Sequence, residues 1–260
     1  MRRGGQVWSW FWVLLGVLYF FLPLLATFLF SLRAQRGILS FLAYEHVLTD
    51  PDFTHAFGFS ALWAVLTIVV SILIFVPTAF LIRLRLPQFR TPVEFITLLP
   101  FVVPVIVYVF SLVRTFSQPP LLIVDSPALL IFAYTVVSMP YMYSAVDTGL
   151  RAIDVRTLTE AGQSLGASWG TILFRIILPN IRVAILSGAF ITFAIVMGEL
   201  ILAQYLVKPA FAPYMAFLMQ QKAYEPAALA IISFALTWAS MGIIQLVGRG
   251  GGQAQMAAGH

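Results

Sequence analysis

The sequence contains no cysteine, which excludes disulfides and thiolate metal sites. Its three histidines, His46, His55 and His260, do not have the spacing of a metal-ligand set. Charged residues are also scarce: they make up 10% of the chain, whereas soluble domains average about 25%. These shortages argue against a disulfide-stabilised domain, a zinc protein and a water-soluble globular fold.

Two patterns typical of enzymes are missing as well. The chain has no Gly-x-x-x-x-Gly-Lys-Ser/Thr phosphate loop, so we expect it neither to bind nor to hydrolyse ATP. Its long hydrophobic stretches hold no paired acids and no histidine cluster, which disfavours a membrane-embedded enzyme. The sequence therefore predicts a non-catalytic protein without a metal site or cofactor of its own.

Apolar residues dominate instead, at 61% of the chain, with a mean hydropathy of +0.96. Backbone groups must be paired within the segment in lipid, so each apolar stretch near about 20 residues predicts a membrane-spanning helix. We predict an all-α polytopic membrane protein. Its six predicted spans are Val7–Leu32, Phe57–Ile82, Val93–Arg114, Pro127–Asp147, Ile181–Val207 and Ala227–Val247.

Basic residues are unevenly distributed among the predicted loops. With the N-terminus inside, ten Lys and Arg residues fall on the cytoplasmic side and five on the outer side. This bias predicts that both termini are cytoplasmic. The net charge of +5 then reflects the membrane edges and not an affinity for nucleic acid.

One transmembrane domain is predicted over residues 1–248, with its core at 57–247. In the outer loop, Leu39–Leu48 favours a helix lying at the membrane surface. Pro100 and Pro104 fall inside the third span, where each removes a helical hydrogen bond and permits a bend. The tail at 249–260 is rich in Gly, Ala and Gln and is predicted to be disordered.

The loop between spans four and five, residues 149–180, is polar and punctuated by glycine. Asp154 can cap a helix over Val155–Leu165, and Gly166 suits its end because glycine tolerates positive φ. A second short helix is predicted from Ser168 to Leu178, with Pro179 at the start of the next span. An apolar stripe is expected on the first helix, formed by Ile153, Leu158, Ala161 and Leu165.

The spacing in this loop resembles the EAA loop of type I ABC importer permeases. That loop reads Glu-Ala-Ala, three residues, Gly, nine residues, Ile, one residue, Leu-Pro. Gly162 stands where Ala is usual, and Gly costs about 1 kcal/mol of helix stability relative to Ala. The matching residues here are Glu160, Ala161, Gly162, Gly166, Ile176, Leu178 and Pro179, preceded by the capping Asp154.

The resemblance implies a fold of six transmembrane helices with a cytoplasmic coupling helix between helices four and five. It implies that the coupling loop, residues 149–180, docks on a separate subunit that binds ATP and Mg. Glu160, Ala161 and Gly166 are then expected to form the docking surface. The implied assembly has two ATP-binding cassette subunits, a second permease subunit (related or identical), an extracytoplasmic binding protein, and a location in the bacterial plasma (inner) membrane.

Glu199 is the most unusual residue inside a predicted span, because a carboxylate at this depth costs several kcal/mol unless it meets water or a partner. Two interpretations are open: a structural acid at a helix contact, or a wall of the translocation path. Gly198 beside it permits close helix approach. Other polar or aromatic candidates for the path are Tyr108, Ser111, Tyr134 and Gln204.

The chain most resembles the shorter permease subunit of spermidine/putrescine importers, through its length, the segment Phe101-Val102-Val103-Pro104 and the carboxylate at Glu199. This implies a polyamine cargo. The pair Gly198-Glu199 departs from the two adjacent acids expected there and also resembles permeases for sulfate, molybdate, thiamine and ferric iron. An aminophosphonate is a further alternative. A different class, a stand-alone secondary transporter or channel, is disfavoured by the spacing of the coupling loop.

Overall fold

The computed structural model describes residues 3–236, 238–239 and 242, and this part of the chain is helical. The prediction of an all-α polytopic fold is confirmed. Its helices are α1 (Arg3–Ser31), α2 (Leu42–Thr49), α3 (Pro51–Leu84), α4 (Arg90–Val102), α5 (Val105–Phe116), α6 (Pro127–Arg151), α7 (Val155–Ser164), α8 (Trp169–Asn180), α9 (Arg182–Gly198), α10 (Ile201–Tyr205), α11 (Phe211–Gln221) and α12 (Glu225–Leu236).

Three helices, α1, α3 and α6, are long and apolar enough to cross a membrane alone. Two further candidate spans are bent pairs: the segment Pro87–Val102 meets α5 at 98°, and α8 meets α9 at 77°. The described residues therefore hold up to five spans by length and composition. The helix α12 begins the sixth predicted span, of which only 238–239 and 242 are described after Leu236; the predicted tail 249–260 lies outside the described residues.

The third predicted span, Val93–Arg114, is not one continuous helix. Helix α4 ends at Val102, and a separate helix, α5, begins at Val105. Val103 is extended, with φ −89° and ψ 117°, because Pro104 disfavours the helical conformation in the residue before it. Pro100 lies inside α4 without ending it. The sharp bend thus comes from Pro104.

The fifth predicted span is also interrupted. The prediction placed its helix at Ile181–Val207 and its beginning at Pro179, but α9 runs from Arg182 to Gly198 and Pro179 lies inside α8. Glu199 is extended at the end of α9, with ψ 111°, and the five-residue α10 follows. A hydropathy pattern cannot locate such a break, because the residues on both sides are equally apolar.

The chain divides into two compact units, and one of them combines residues up to Thr54 with Tyr214–Trp238. Here α2, Leu42–Thr49, largely overlaps in sequence the helix that was predicted at Leu39–Leu48. Its Tyr44 hydroxyl lies 2.8 Å from the Ser31 hydroxyl of α1. His46 pairs with Glu225 at 3.3 Å, and the Tyr214 hydroxyl donates to Asp50 at 2.7 Å. These polar contacts join α2 and the residue that follows it to three other helices of the chain.

The second unit, built on His55–Pro213, has two buried apolar clusters. One joins α5, α6, α9 and α10 around Tyr134 and Leu202, which are 1% and 0% exposed. The other joins α3 and α6 to the coupling loop, with Val155, Ile172 and Ile177 buried in it. The coupling loop is therefore part of a packed core.

Gly162 explains how the two helices of the coupling loop approach each other. It is buried on α7, and a Cβ atom there would lie 3.1 Å from Ile172 Cγ1 and 3.1 Å from Ile176 Cδ1. That is closer than ordinary van der Waals contact. The absence of a side chain at Gly162 thus lets α7 lie directly on α8.

We predict that Gly162→Leu lowers the thermal stability of the assembled complex, whereas Gly162→Ala leaves it nearly unchanged. The leucine side chain would enter the space of the fully buried Ile172, and overpacking of this kind costs about 1–3 kcal/mol. Alanine requires Ile172 and the tip of Ile176 each to shift by a few tenths of an ångström. The gain of about 1 kcal/mol in helix propensity offsets that cost. Heating followed by size-exclusion chromatography of the detergent-purified complex measures the effect.

Gly170 provides the matched control, because it lies in α8 and no neighbouring side chain comes within 4 Å of the place where its Cβ atom would be. Gly170→Leu is therefore expected to be as stable as the parent. Equal midpoints for Gly162→Leu and Gly170→Leu would show that the contact between α7 and α8 is not tight.

Candidate functional site

The first helix of the coupling loop starts at the predicted cap. Asp154 accepts a hydrogen bond from the Thr157 backbone N–H at 3.1 Å and another from the Thr157 hydroxyl at 2.7 Å. These two bonds lower the pKa of Asp154 below its ordinary value, and the bond from the hydroxyl is the larger cause. The carboxylate thus remains charged at neutral pH and fixes the beginning of α7.

The same helix ends in a Schellman motif centred on Gly166, which has φ +77° as predicted. The Gly166 N–H donates to the Gln163 carbonyl at 2.9 Å, and the Ala167 N–H donates to the Gly162 carbonyl at 2.9 Å. This pattern satisfies carbonyls that a helix end otherwise leaves unpaired. Both ends of α7 are therefore defined by specific hydrogen bonds.

The buried and exposed faces of α7 differ from the predicted stripe. Val155, Thr159 and Gly162 are buried, and Leu158 is half-buried against the core. Two members of the predicted apolar stripe, Ala161 and Leu165, are instead exposed, Leu165 by 88%. That part of the prediction was wrong, and it reveals an apolar side chain at the tip of the loop.

Glu160 lies on the exposed face of α7 together with Ala161. Its carboxylate accepts a hydrogen bond from Arg156 Nε at 2.8 Å, one helical turn earlier. Both side chains are well exposed, so the pair contributes little to folding. Near the tip of the loop, the exposed surface therefore presents an ion pair, a small residue and a large apolar one.

The remaining motif residues belong to the base of the loop. Ile176 and Leu178 are half-buried against the core cluster, next to the fully buried Ile177. Pro179 lies exposed within α8. The structure thus separates the motif into an exposed tip and a packed base.

Sequence reasoning missed Trp169, the first residue of α8. The guanidinium of Arg85 lies 4.3 Å from the centre of its ring, and the ring of Phe80 lies 6.5 Å away. These contacts join the coupling loop to the end of α3. An aromatic residue directly after the capping Ser168 was the available signal, but its partner is distant in sequence.

The predicted path residues are not brought together as one lining. Tyr134 is buried, and Tyr108 is partly buried in the same cluster. Ser111 is exposed, and its hydroxyl donates a hydrogen bond to the Val107 carbonyl at 2.8 Å. Gln204 is exposed on α10.

Glu199 is engaged with the backbone. Its two carboxylate oxygens accept hydrogen bonds from the N–H groups of Ile201 and Leu202, at 3.1 Å and 2.7 Å. These bonds cap the start of α10. The geometry therefore gives the carboxylate two partners within the protein, both of them backbone groups close to it in the chain.

Comparisons with known proteins identify the family to which the chain belongs. Residues 76–249 match the family described as "Binding-protein-dependent transport system inner membrane component". The chain is 30% identical over 193 residues to the molybdate/tungstate transport system permease protein WtpB of Pyrococcus abyssi, covering 73% of this chain and 74% of that one. It is 31% identical over 124 residues to the spermidine/putrescine transport system permease protein PotC of Escherichia coli. That match covers 46% of this chain and about half, 47%, of the relative.

A solved structure has the same fold. A bacterial ABC transporter involved in the import of the acidic polysaccharide alginate superposes with a TM-score of 0.69 and 17% identity, over 94% of this chain and 98% of that one. The fold is thus that of ABC importer permeases. Given the matched residues 76–249 and the helix arrangement, the chain belongs to the binding-protein-dependent transport system inner membrane component family, the type I ABC importer permeases.

Proposed function

We propose that this chain forms half of the translocation pathway of an ATP-driven, binding-protein-dependent importer and couples it to a separate ATPase through the coupling loop. The observation that carries this proposal is the division of the loop into a packed base and an exposed tip. Val155, Ile172 and Ile177 anchor the base in the bundle, while Leu165 projects with 88% exposure. A force applied at the tip therefore reaches the transmembrane helices through a packed core.

The docking surface consists of Glu160, Ala161, Leu165 and Gly166. An apolar anchor surrounded by polar groups is typical of an interface centre. The capping Asp154 and the Schellman motif hold this surface in one conformation before binding, which reduces the entropy lost on association. Its partners are two ATP-binding cassette subunits, which hold the ATP and Mg.

The remaining partners follow from the importer role. A second permease subunit, related or identical, completes the pathway, and an extracytoplasmic binding protein delivers the cargo. A bacterial alginate ABC transporter with a similar fold has been solved in complex with an alginate pentasaccharide-bound periplasmic protein. That complex supports a binding protein as a partner here. The chain lies in the inner membrane of a bacterium, and both of its termini are in the cytoplasm. A stand-alone transporter or channel would instead work without an ATPase.

For the cargo, a polyamine such as spermidine or putrescine remains the candidate that the sequence favours, supported by the match to PotC. A metal oxyanion is the second candidate, because the longer match is to a molybdate/tungstate permease. Ferric iron is supported by a 107-residue match, at 35% identity, to a putative ferric permease of Haemophilus influenzae. Glu199 accepts two backbone hydrogen bonds, so its carboxylate has partners even when no cationic cargo is present.

We predict that Gly166→Asp abolishes transport while the complex still assembles in the membrane. The change places a negative charge beside Leu165 at the docking surface and leaves the core untouched, since nothing lies within 4 Å of that position. Gly166→Asn is the matched control: it has nearly the same shape without the charge, and asparagine also tolerates positive φ. Cargo uptake and stimulated ATPase activity of membrane vesicles are the measurements. Normal uptake by Gly166→Asp would remove the coupling role from this residue.

For Glu199→Gln we expect unchanged cargo affinity and transport rate, with reduced thermal stability of the complex. Glutamine keeps one oxygen for the α10 cap but loses the charge and the second acceptor, and a charged cap is the stronger one. Transport kinetics and unfolding midpoints should be measured on the same preparation. A changed affinity at unchanged stability would instead place Glu199 on the path.

The cargo can be identified by measuring the ATPase activity of the reconstituted complex together with its binding protein. The ATPase rate is compared across spermidine, molybdate, sulfate, ferric ion, thiamine and an aminophosphonate, each with and without the binding protein. We expect stimulation by one chemical class only, and only with the binding protein present. ATPase activity that never responds to the binding protein would contradict the importer assignment.

A further inference from the structure

A cavity of about 280 Å³ lies between the last turns of α3 and the beginning of α8. Its lining on α3 starts at Pro77 and reaches Arg85, which continues the helix because its N–H donates to the Leu81 carbonyl at 2.8 Å. The eight residues from Pro77 to Arg85 correspond to about 12 Å of helix. The cavity therefore extends from the basic end of α3 into the apolar stretch of that helix.

The lining of this cavity has an apolar wall and a basic rim. The wall is formed by Pro77, Phe80, Leu81 and Leu173. Arg85 lies at the rim, and it is the one charged residue in the lining within the described part of the chain. The cavity thus offers hydrocarbon surface along most of its length and a positive charge at one end.

The guanidinium of Arg85 is available to an external anion. It lies 4.3 Å from the centre of the Trp169 ring, and an aromatic ring supplies no oxygen to its five N–H donors. Among the residues that the structure describes, no carboxylate or carbonyl pairs with the Arg85 side chain. Arg83, two positions earlier, is instead paired with Asp147 at 3.5 Å. The charge at the rim of the cavity is therefore not neutralised by the protein.

The helix α8 has the character of a helix at the membrane surface. Ile172 and Ile177 are fully buried against the core, whereas Trp169 and Phe174 are 39% and 57% exposed. The helix meets α9, the apolar part of a candidate span, at 77°, so it lies nearly along the membrane plane. Tryptophan is enriched at the level of the lipid headgroups. The mouth of the cavity therefore lies at the boundary between hydrocarbon and headgroups.

A phospholipid combines the two chemistries that this cavity offers. An acyl chain suits the apolar wall at Leu81 and Leu173, and a phosphate suits the arginine at the rim, because a guanidinium donates two parallel hydrogen bonds to anionic oxygens. Basic pockets between transmembrane helices on the cytoplasmic side bind anionic headgroups in the same way. A zwitterionic headgroup carries its own cation, which competes with Arg85 for the phosphate. The charge of the cavity thus favours a lipid with a net negative headgroup.

We propose that this cavity binds one anionic phospholipid, with its phosphate on Arg85 and an acyl chain along Leu81 and Leu173. The site is separate from the docking surface at the tip of the coupling loop, and it does not depend on the nature of the cargo. A lipid held here contacts both α3 and α8, so it joins the coupling loop to a transmembrane helix from the membrane side.

Trp169 can report directly on the occupant, because bromine atoms on an acyl chain quench the fluorescence of a tryptophan that they touch. The full chain, assembled with its partner subunits, is reconstituted into nanodiscs of phosphatidylcholine. These contain increasing fractions of either brominated phosphatidylglycerol or brominated phosphatidylcholine with the same acyl chains. The same assembly carrying Trp169→Phe gives the signal of all other tryptophans, and the difference isolates Trp169.

We expect half-maximal quenching of Trp169 at an about fivefold lower mole fraction of the anionic lipid, a ratio that corresponds to about 1 kcal/mol, the usual contribution of one arginine at an anionic surface. Arg85→Gln should make the two lipids equal, whereas Arg85→Lys should keep the preference. The matched control is Arg182→Gln, which removes an exposed arginine near the same end of the spans but outside the cavity lining. It should leave the preference unchanged.

Equal half-maximal fractions in the parent complex would overturn the choice of an anionic lipid. Absence of quenching by either lipid would show that another subunit covers Trp169, and this would overturn the lipid site itself. A preference that persists in Arg85→Gln, or that disappears in Arg182→Gln, would assign it to the general charge of the surface and contradict the proposal. If Trp169→Phe does not assemble, the total quenching of the parent and of Arg85→Gln is compared directly. None of these results bears on Gly166→Asp, so failure of the lipid site and failure of the importer role are distinguishable.

Discussion

The close packing of α7 on α8 at Gly162 is the contact on which the functional site depends. With Ile172 and Ile176 lying where a side chain would otherwise be, the coupling loop becomes part of the same core as α3 and α6. The cap at Asp154 and the turn at Gly166 then determine which residues remain outside. In the coupling role that we propose, this contact is what connects the loop to the transmembrane helices.

Much of the site could be predicted from the sequence, because local hydrogen bonding and backbone conformation determine it. Asp154 and Gly166 behave as their types require at the two ends of a helix. The unusual Gly162 could be identified but not explained, since the reason lies ten and fourteen residues further on in Ile172 and Ile176. Ala161 and Leu165 were misplaced because the face of α7 that is buried runs through Val155, Thr159 and Gly162, and small or polar residues on that face give no hydrophobic signal.

The transmembrane helices likewise have features that the sequence predicts and others that only the structure explains. Hydropathy located the apolar stretches, but the breaks at Val103 and Glu199 depend on conformations that apolarity does not encode. A carboxylate inside an apolar stretch left two interpretations open, and the structure adds that its oxygens accept hydrogen bonds from the backbone at the start of α10. The ion pair between Glu94 and Arg151 joins residues separated by 57 positions in the chain. Such a contact is visible only after folding.

We propose that the tip of the coupling loop contacts an ATP-binding subunit. A photoreactive amino acid at position 165, in place of the exposed Leu165, can capture this contact in cells that contain the whole transporter. We expect one major crosslinked product, identified by mass spectrometry as a protein with a Gly-x-x-x-x-Gly-Lys-Ser/Thr phosphate loop. If Leu165 does not face such a subunit, crosslinks will form only to lipid or to proteins without that loop.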